Sequence, residues 1–343
     1  MDQLLSTAAL LYALDGRRPP TMALRDMFFP TPFQSDDESI VLDELGTDLE
    51  VAAFVSPLVE TPDSKMVPQR AESFKPGYIK ERNRILPSHG QVRRPGEQLS
   101  GTEDAGTRLN AVIERQVVMQ DDRISRREEL MCSEILRTGK VTISGDNIAT
   151  YEADFNRDAS LTDALTGGDR WGQSGVKIVD YLEGRAEAVG DVSGGSPSVV
   201  ILGAAAAAVI RDDDKIRDGL DNTRQAGGSF QFGPRPAAGD GNHLVYLGTY
   251  GDFEFYKLRQ KFTVEGVSVD VWPTGSCLVA DPAFLNGFMC HGAVLDRGAG
   301  VKPLPRYPKM WDNEDPAGTF LLTQSAPLPV PGNINATAYS LVV

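Results

Sequence analysis

Apolar residues recur at helical spacing along one long charged stretch of the chain. The stripe consists of Leu109, Ile113, Val117, Ile124, Met131 and Ile135. Ser100 and Glu103 fit a capping box before it, and Gly139 is a suitable C-terminal stop. This pattern predicts one helix of about 30 residues that lies across one face of a thin domain. A coiled coil is not favoured, because the stripe lapses at Gln120 and near Arg127.

Between Val55 and Ser100 the chain shows no regular pattern, and proline interrupts it repeatedly. The prolines are Pro57, Pro62, Pro68, Pro76, Pro87 and Pro95. They recur too often for a helix or for an interior strand. Loops of this length inside compact domains are usually functional. The pattern predicts an extended loop over residues 51–100.

Shorter patterns predict a mixture of strands and helices around these two features. A short amphipathic helix is expected within residues 4–14, and the pair Phe28 and Phe29 is interpreted as an anchor that docks an N-terminal arm. Glycines and serines at 190–197 indicate a break between domains. The remaining predictions are strands within 38–56, a hairpin over 141–155, helices over 176–188, 204–214 and 215–225, a loop over 227–241, and strands at 199–202, 253–256, 262–271, 277–280 and 319–323.

Charge divides the 343-residue chain unevenly. The net charge is −14, yet Lys65 to Arg94 holds eight basic residues against two acids. This stretch therefore carries about +6 and the remainder about −20. The acidic balance argues against binding of nucleic acid over the whole surface. Three cysteines without a CxxC pair indicate a reducing, cytosolic compartment, and no apolar run is long enough to span a membrane.

The search for chemistry finds only weak candidates. Strand 199–202 followed by Gly203 lacks two of the three glycines of a dinucleotide site, and the acids at 212–214 do not fit a calcium loop. Cys277, Cys290 and His291 match no common zinc spacing. A serine or cysteine nucleophile paired with a distant histidine stays an open alternative. We therefore predict no catalytic, cofactor-binding or metal-binding residues.

The basic stretch from Lys65 to Arg94, here called the basic ribbon, has three possible roles: a nucleic-acid patch, a substrate lid or an assembly arm. Its aromatic residues would suit base stacking, but the ribbon lacks catalytic groups for a lid. The arm is favoured, because cations could pair with acids of an identical neighbour while apolar residues are buried there. The predicted inter-subunit assembly residues are Phe28, Phe29, Phe74, Tyr78, Lys80, Arg82, Arg84, Arg93 and Arg94.

Several segments in order along the chain resemble the major capsid proteins of tailed phages, in the lambda-like protein E family. They are 24–29 (LRDMFF), 54–59 (FVSPLV), 74–80 (FKPGYIK), 306–311 (RYPKMW), 315–316 (DP) and 324–328 (QSAPL). The resemblance implies an α+β fold of the Hong Kong 97 type. It also implies a division into an N-terminal arm with first strands (1–50), extended loop (51–100), peripheral domain with a spine helix (101–195), axial domain (196–300) and C-terminal return to the peripheral domain (301–343).

The same resemblance implies a structural protein of the virion. Copies of the chain would form pentamers and hexamers of a closed icosahedral shell, assembled in the bacterial host cytoplasm with scaffold and portal proteins. A cementing protein could bind at three-fold positions, and packaged double-stranded DNA would be enclosed without specific binding. Two alternatives are an encapsulin-like compartment with the same fold and a hydrolase with a long lid loop.

Overall fold

A computed structural model gives the fold of most of the chain. It describes residues 22–35, 39–45, 69–92, 104–145, 148–213, 243–264, 266–300, 302–315 and 317–343, together with Thr7, Leu10, Leu11, Leu14 and Ile216. The capping box at 100–103, Arg93, Arg94, the loop at 227–241 and nearly all of the predicted helix at 215–225 lie outside the described residues. The described residues between 7 and 14 are helical, as predicted.

Five α-helices have both ends within the described residues. They are α1 (Ala23–Phe28), α2 (Ala105–Thr138), α3 (Ile178–Ser193), α4 (Ala204–Asp212) and α5 (Pro282–Leu285). Helix α2 is the predicted long helix, 34 residues in length. It ends at Gly139, whose φ of 74° lies in the left-handed region. A Cβ atom there would lie 2.7 Å from Cβ of Arg157, so the predicted stop is confirmed and only glycine fits it.

Arg157 closes the C-terminal end of α2. Its guanidinium donates hydrogen bonds to the backbone carbonyls of Ile135, Leu136 and Arg137 and to the Thr337 hydroxyl. The last carbonyls of a helix have no partner within the helix, and a cation there also complements the helix dipole. The far end of the long helix is thus fixed to strands that come much later in the chain.

Eighteen strands are found in the described residues. They are β1 (Thr31–Gln34), β2 (Ile40–Leu45), β3 (Gln69–Phe74), β4 (Ile79–Ile85), β5 (Lys140–Gly145), β6 (Ile148–Asp154), β7 (Thr162–Ala164), β8 (Val199–Leu202), β9 (Leu244–Tyr250), β10 (Phe253–Leu258), β11 (Lys261–Val264), β12 (Val267–Asp270), β13 (Ser276–Ala280), β14 (Phe288–His291), β15 (Tyr307–Asn313), β16 (Gly318–Ser325), β17 (Pro327–Val330) and β18 (Thr337–Leu341). The predicted hairpin over 141–155 is β5 and β6, which pair antiparallel.

A six-stranded mixed sheet carries one of the two largest apolar cores. Its strand order is β7-β18-β13-β8-β10-β9, and helices α3 and α4 pack on it. Helix α3 continues past Gly190 as far as Ser193, and Gly194 is its C-cap. The break that was predicted from Gly190 therefore begins four residues later than expected. Gly190 adds no side chain but keeps its backbone hydrogen bonds in the helix. The domain boundary at 195/196 stays a prediction.

The other large core surrounds the C-terminal half of α2. Helix α1, the sheet β1-β14-β17 and hairpin β5–β6 pack here on Met131, Cys132 and Ile135. The N-terminal half of α2 instead supports the sheet β15-β16-β4, where Ile113 and Val117 contact Leu321 and Ile85. One long helix therefore joins two differently built regions.

Strand β4 gives regular structure to part of the predicted extended loop over residues 51–100, and the bounds of that loop stay a prediction. Residues 79–85 form a regular antiparallel ladder with β16 of the same subunit. Pro76 and Pro87 lie on either side of this strand, so they bound it without removing one of its backbone donors. The strand is also at the edge of its sheet, where a highly charged sequence is tolerated.

Candidate assembly surface

Strand β4 separates its side chains cleanly onto two faces. The odd-numbered residues face α2: Asn83 donates a hydrogen bond to the Gln116 amide oxygen at 2.7 Å, and Ile85 is buried. Lys80, Arg82 and Arg84 are all exposed on the opposite face. Because side chains of a strand alternate between its faces, three cations at every second position form one row.

Aromatic rings extend this cationic row across the sheet. Phe320 lies opposite Arg84 in the ladder, and the Arg82 and Arg84 guanidinium carbons lie 5.4 and 5.8 Å from its ring centre. Trp311 stacks on Phe320 at 5.5 Å between centroids. Arginine over an aromatic face is held by the ring quadrupole, which orients the guanidinium while leaving it hydrated. We call Lys80, Arg82, Arg84, Trp311 and Phe320 the cation–aromatic face.

Tyr78 fixes one end of this face. Its hydroxyl donates to the Gln324 amide oxygen at 2.7 Å, and the Gln324 amide donates to Asp296 at 3.0 Å. Lys80 lies over the Tyr78 ring at 5.1 Å. Burial raises the pKa of Tyr78, and the nearby Asp296 carboxylate raises it further, so the phenol stays a neutral donor. Beside Tyr78 and Lys80 lies a cleft of about 210 Å³ that is also lined by Leu295.

The predicted phenylalanine contacts lie inside the subunit. Phe28 and Phe29 are fully buried in the core around α2, and Phe74 packs on Phe155 with ring centres 4.9 Å apart. Helix α1 turns the first two inward. Their apolar surface is covered by their own subunit, so we place these three residues in the core that supports the arm and the loop, and we do not include them in the contact proposed below.

A buried charge network joins α2 to the segment before β15. The Arg306 guanidinium donates to Asp121 and Glu128 at 2.7 Å each and to the Ser125 hydroxyl at 3.1 Å. Arg25 of α1 bonds the other oxygen of Glu128. Burial opposes the charge on Glu128, but the Arg306 guanidinium outweighs this and holds the pKa of Glu128 below its usual value. The arginine fixes the base of the sheet that displays the cation–aromatic face.

Sequence analysis found only part of these arrangements. It identified Tyr78, Lys80, Arg82 and Arg84, which the structure brings together, but it missed Trp311 and Phe320. No local pattern marked them, because Trp311 follows Met310 and Phe320 precedes Leu321, so neither strand alternates cleanly between polar and apolar residues. Gln120, where the apolar stripe lapses, is buried and bonded to β16 through the Leu321 carbonyl and the Thr323 hydroxyl. A polar residue in an apolar stripe can therefore mark an inter-element hydrogen bond.

The residues considered above as weak candidates for metal binding or catalysis lie apart from one another or are packed inside the apolar cores. In the described residues, no three His, Cys, Asp or Glu side chains lie close enough together to hold a metal ion. Cys277 lies in the core of the six-stranded sheet, whereas Cys290 lies in the core around α2. Burial raises the pKa of Cys290 to about 12, so its thiol is a poor nucleophile. At the weak dinucleotide-site candidate around Gly203, the backbone amides of Ala205 and Ala206 donate hydrogen bonds to the Thr274 carbonyl of the same subunit.

Comparison with known proteins decides the family. The sequence profile described as "Phage major capsid protein E" matches residues 6–340. The chain belongs to this family. It is 26% identical to the major capsid protein of Enterobacteria phage P21 over 310 residues, which cover 89% of each chain. It is 23% identical to the major capsid protein of Escherichia phage lambda over 327 residues, which cover 94% of each.

The family's fold is also the fold of this chain. A crystal structure of the putative capsid protein of an Escherichia coli CFT073 prophage matches with a TM-score of 0.76 at 21% identity, and the match covers 99% of both chains. The predicted α+β fold of the Hong Kong 97 type is thus confirmed. Among the described helices of this capsid protein E family member, none is long and apolar enough to cross a bilayer.

Proposed function

We propose that this chain is the major capsid subunit of a tailed phage, a structural protein that assembles into the icosahedral shell around packaged double-stranded DNA. The observation that carries the proposal is the family match over nearly the whole chain, together with a fold that matches a capsid protein from end to end. In this proposal the chain acts through contacts with copies of itself and is not an enzyme. Its location is the virion capsid.

The cation–aromatic face is proposed as one of the inter-subunit contacts. Three aligned cations on a chain of net charge −14 fit an acidic surface of another copy. Trp311 and Phe320 add apolar area to the same face, and tryptophan, tyrosine and arginine are the residues most often found at energetically important contacts. Buried contacts behind the face keep its geometry fixed before association, which lowers the entropic cost of binding. Arg93 and Arg94 extend the cationic segment in sequence and stay part of the proposal.

The finer organisation follows the resemblance of the sequence to its family. We propose pentamers and hexamers built around the axial domain (196–300), with the extended loop reaching an adjacent subunit. Assembly in the bacterial cytoplasm would involve scaffold and portal proteins, and a decoration protein could bind at three-fold positions. DNA would be enclosed without specific binding, because an acidic protein repels phosphates over most of its surface.

Electron microscopy of the purified full-length protein, expressed alone and with the scaffold gene product of its phage, tests the function. Closed icosahedral particles of one subunit type are expected, and shells from infected cells should contain nuclease-protected DNA. Shells filled with enzymes in place of DNA would indicate a protein compartment. Monomers or dimers under both conditions, together with hydrolytic activity that is lost on replacement of His243 or His291, would contradict the proposal.

A further inference from the structure

The cleft beside Tyr78 is mostly apolar and adjoins the cation–aromatic face. Its volume is about 210 Å³. The buried residues that line it, Pro76, Ala293 and Ala326, are all apolar, and Leu295 lines it with a side chain that is 58% exposed. An exposed leucine beside an apolar hollow is removed from water only when another surface covers both. The cleft therefore offers apolar area that the described part of the subunit does not cover.

Contacts behind the cleft hold its lining in place. The Asp296 carboxylate accepts a hydrogen bond from the Gln324 amide at 3.0 Å. Because a carboxylate only accepts, Gln324 turns its amide oxygen towards the Tyr78 hydroxyl, which donates to it at 2.7 Å. A Cβ atom at Gly292 would lie 2.5 Å from Cγ of Pro76, so the backbone on one side packs directly against the proline on the other. A lining that is fixed before association lowers the entropic cost of binding.

The charged residues that line the cleft are both lysines. Lys75 and Lys80 are exposed, and among the described residues no carboxylate lines the cleft. Lysines around an apolar hollow fit a carboxylate that is carried by an apolar segment. A second copy of the chain, with its net charge of −14, offers such carboxylates. The phosphates of DNA would attract the lysines but gain nothing from the apolar lining, so an acidic protein segment is the better fit.

We propose that this cleft receives an acidic segment of a second copy of the chain: an apolar side chain enters the hollow beside Leu295, and a neighbouring carboxylate pairs with Lys75 or Lys80. The inference rests on the proposed function and adds the chemistry of the partner surface. Lys80 belongs to both the cleft and the cation–aromatic face, so one partner surface can cover the two together. Each such contact is small, and it becomes effective because a closed shell forms many of them at once.

Two substitutions at one position test the charge of the occupant. Leu295→Asp and Leu295→Lys both remove the leucine from an exposed position, and they differ in the sign of the introduced charge. An acidic occupant is repelled by the new carboxylate and attracted by the new ammonium group. The yield of closed particles, measured by light scattering and electron microscopy, is expected to be roughly tenfold lower in Leu295→Asp than in Leu295→Lys. Equal yields in the two variants would overturn the inference.

The same comparison keeps this inference separate from the proposed function. If the wild type and both variants form particles equally well, the cleft is not a contact, while the capsid function stands. If the wild type forms no particles, both the function and the inference are wrong. The particles are assembled without DNA, so a difference between the variants that arises only in DNA-filled shells would assign the cleft to phosphate and overturn the inference.

Photo-crosslinking identifies the occupant directly. The native cysteines Cys132, Cys277 and Cys290 are buried, so a benzophenone maleimide reacts selectively at the exposed position of Leu295→Cys. A minority of labelled subunits is assembled with isotope-labelled wild-type subunits, and mass spectrometry distinguishes the two chains. The expected product joins position 295 to an acidic segment of a wild-type copy. Cross-links only within the labelled chain, or only to the scaffold protein, would overturn the inference.

Discussion

Arg306 and the pair Arg82 and Arg84 carry the same functional group but have opposite surroundings. The Arg306 side chain is 13% exposed and ion-paired to Asp121 and Glu128. Arg82 and Arg84 lie on the surface of the adjoining sheet, over the ring of Phe320. The buried guanidinium is committed to the fold of its own subunit, whereas the pair lies exposed on the surface of the sheet. Burial, and not residue type, therefore separates the charges that stabilise the fold from those that we propose for assembly.

Removal of the buried charge should give the largest effect. Arg306→Met leaves Asp121 without its cation and Glu128 with Arg25 alone, and we expect a loss of about 3–5 kcal/mol in the free energy of unfolding. Chemical denaturation of the unassembled subunit measures it. The control is Arg127→Met, at an exposed position of α2, the helix that carries Asp121 and Glu128. A loss below about 1 kcal/mol in Arg306→Met would show that the network contributes little.

Removal of the ring of Phe74 should have the next largest effect. Phe74→Ala leaves a cavity against Phe155, which should cost about 3 kcal/mol. Phe33→Ala truncates a ring that is half exposed and should cost far less under the same denaturation conditions. Equal losses in the two variants would contradict the placement of Phe74 in the subunit core.

Acidification should weaken the buried network more gradually. The pKa of Glu128 is lower in the folded protein than its ordinary value of 4.5, so its contribution to stability is complete above that value and is lost as pH falls through the folded pKa. The denaturation midpoint should therefore decrease as the pH is lowered below 4.5. The fall should be shallower in Arg306→Met, because Glu128 then loses the cation that does most to lower its pKa. Parallel curves for the two proteins would contradict this explanation.

Neutralisation of the exposed pair should have the smallest effect on the isolated subunit. Arg82→Ala together with Arg84→Ala removes two solvent-accessible contacts with the Phe320 ring, and we expect a change below about 1 kcal/mol in the free energy of unfolding. The same denaturation experiment measures it. A loss comparable to that of Arg306→Met would mean that these arginines serve mainly the fold.

The sequence predicted elements whose pattern is local. Helix α2 was found because its apolar period and its terminal glycine lie within one segment, and hairpin β5–β6 because its strands adjoin. Strand β4 was missed because its charged residues resemble a loop until β16 is known to lie beside it. Sequence analysis from Arg306 onward expected one good strand, whereas β15, β16, β17 and β18 are all present. Their prolines lie at positions where strand pairing tolerates them.

The site was predictable in part for the same reason. Lys80, Arg82 and Arg84 form a visible cluster along the chain. The partners of Arg306 lie about 180 positions earlier in sequence, so no local pattern could reveal them. The caps supplied to α1 by Glu129 and to α2 by Arg157 depend on tertiary packing in the same way. Charge in a sequence indicates where a contact could form, but only the fold shows which charges are already paired.

Charge reversal of the exposed pair tests the central claim most directly. Two double variants are compared for particle formation by light scattering and electron microscopy. The first combines Arg82→Glu and Arg84→Glu. The second combines Arg115→Glu and Arg127→Glu, which make the same charge change at exposed positions of α2. The account predicts a folded subunit that fails to form closed particles in the first variant, and particle formation in the second. Normal shells from the first variant would contradict the assignment of the cation–aromatic face to assembly.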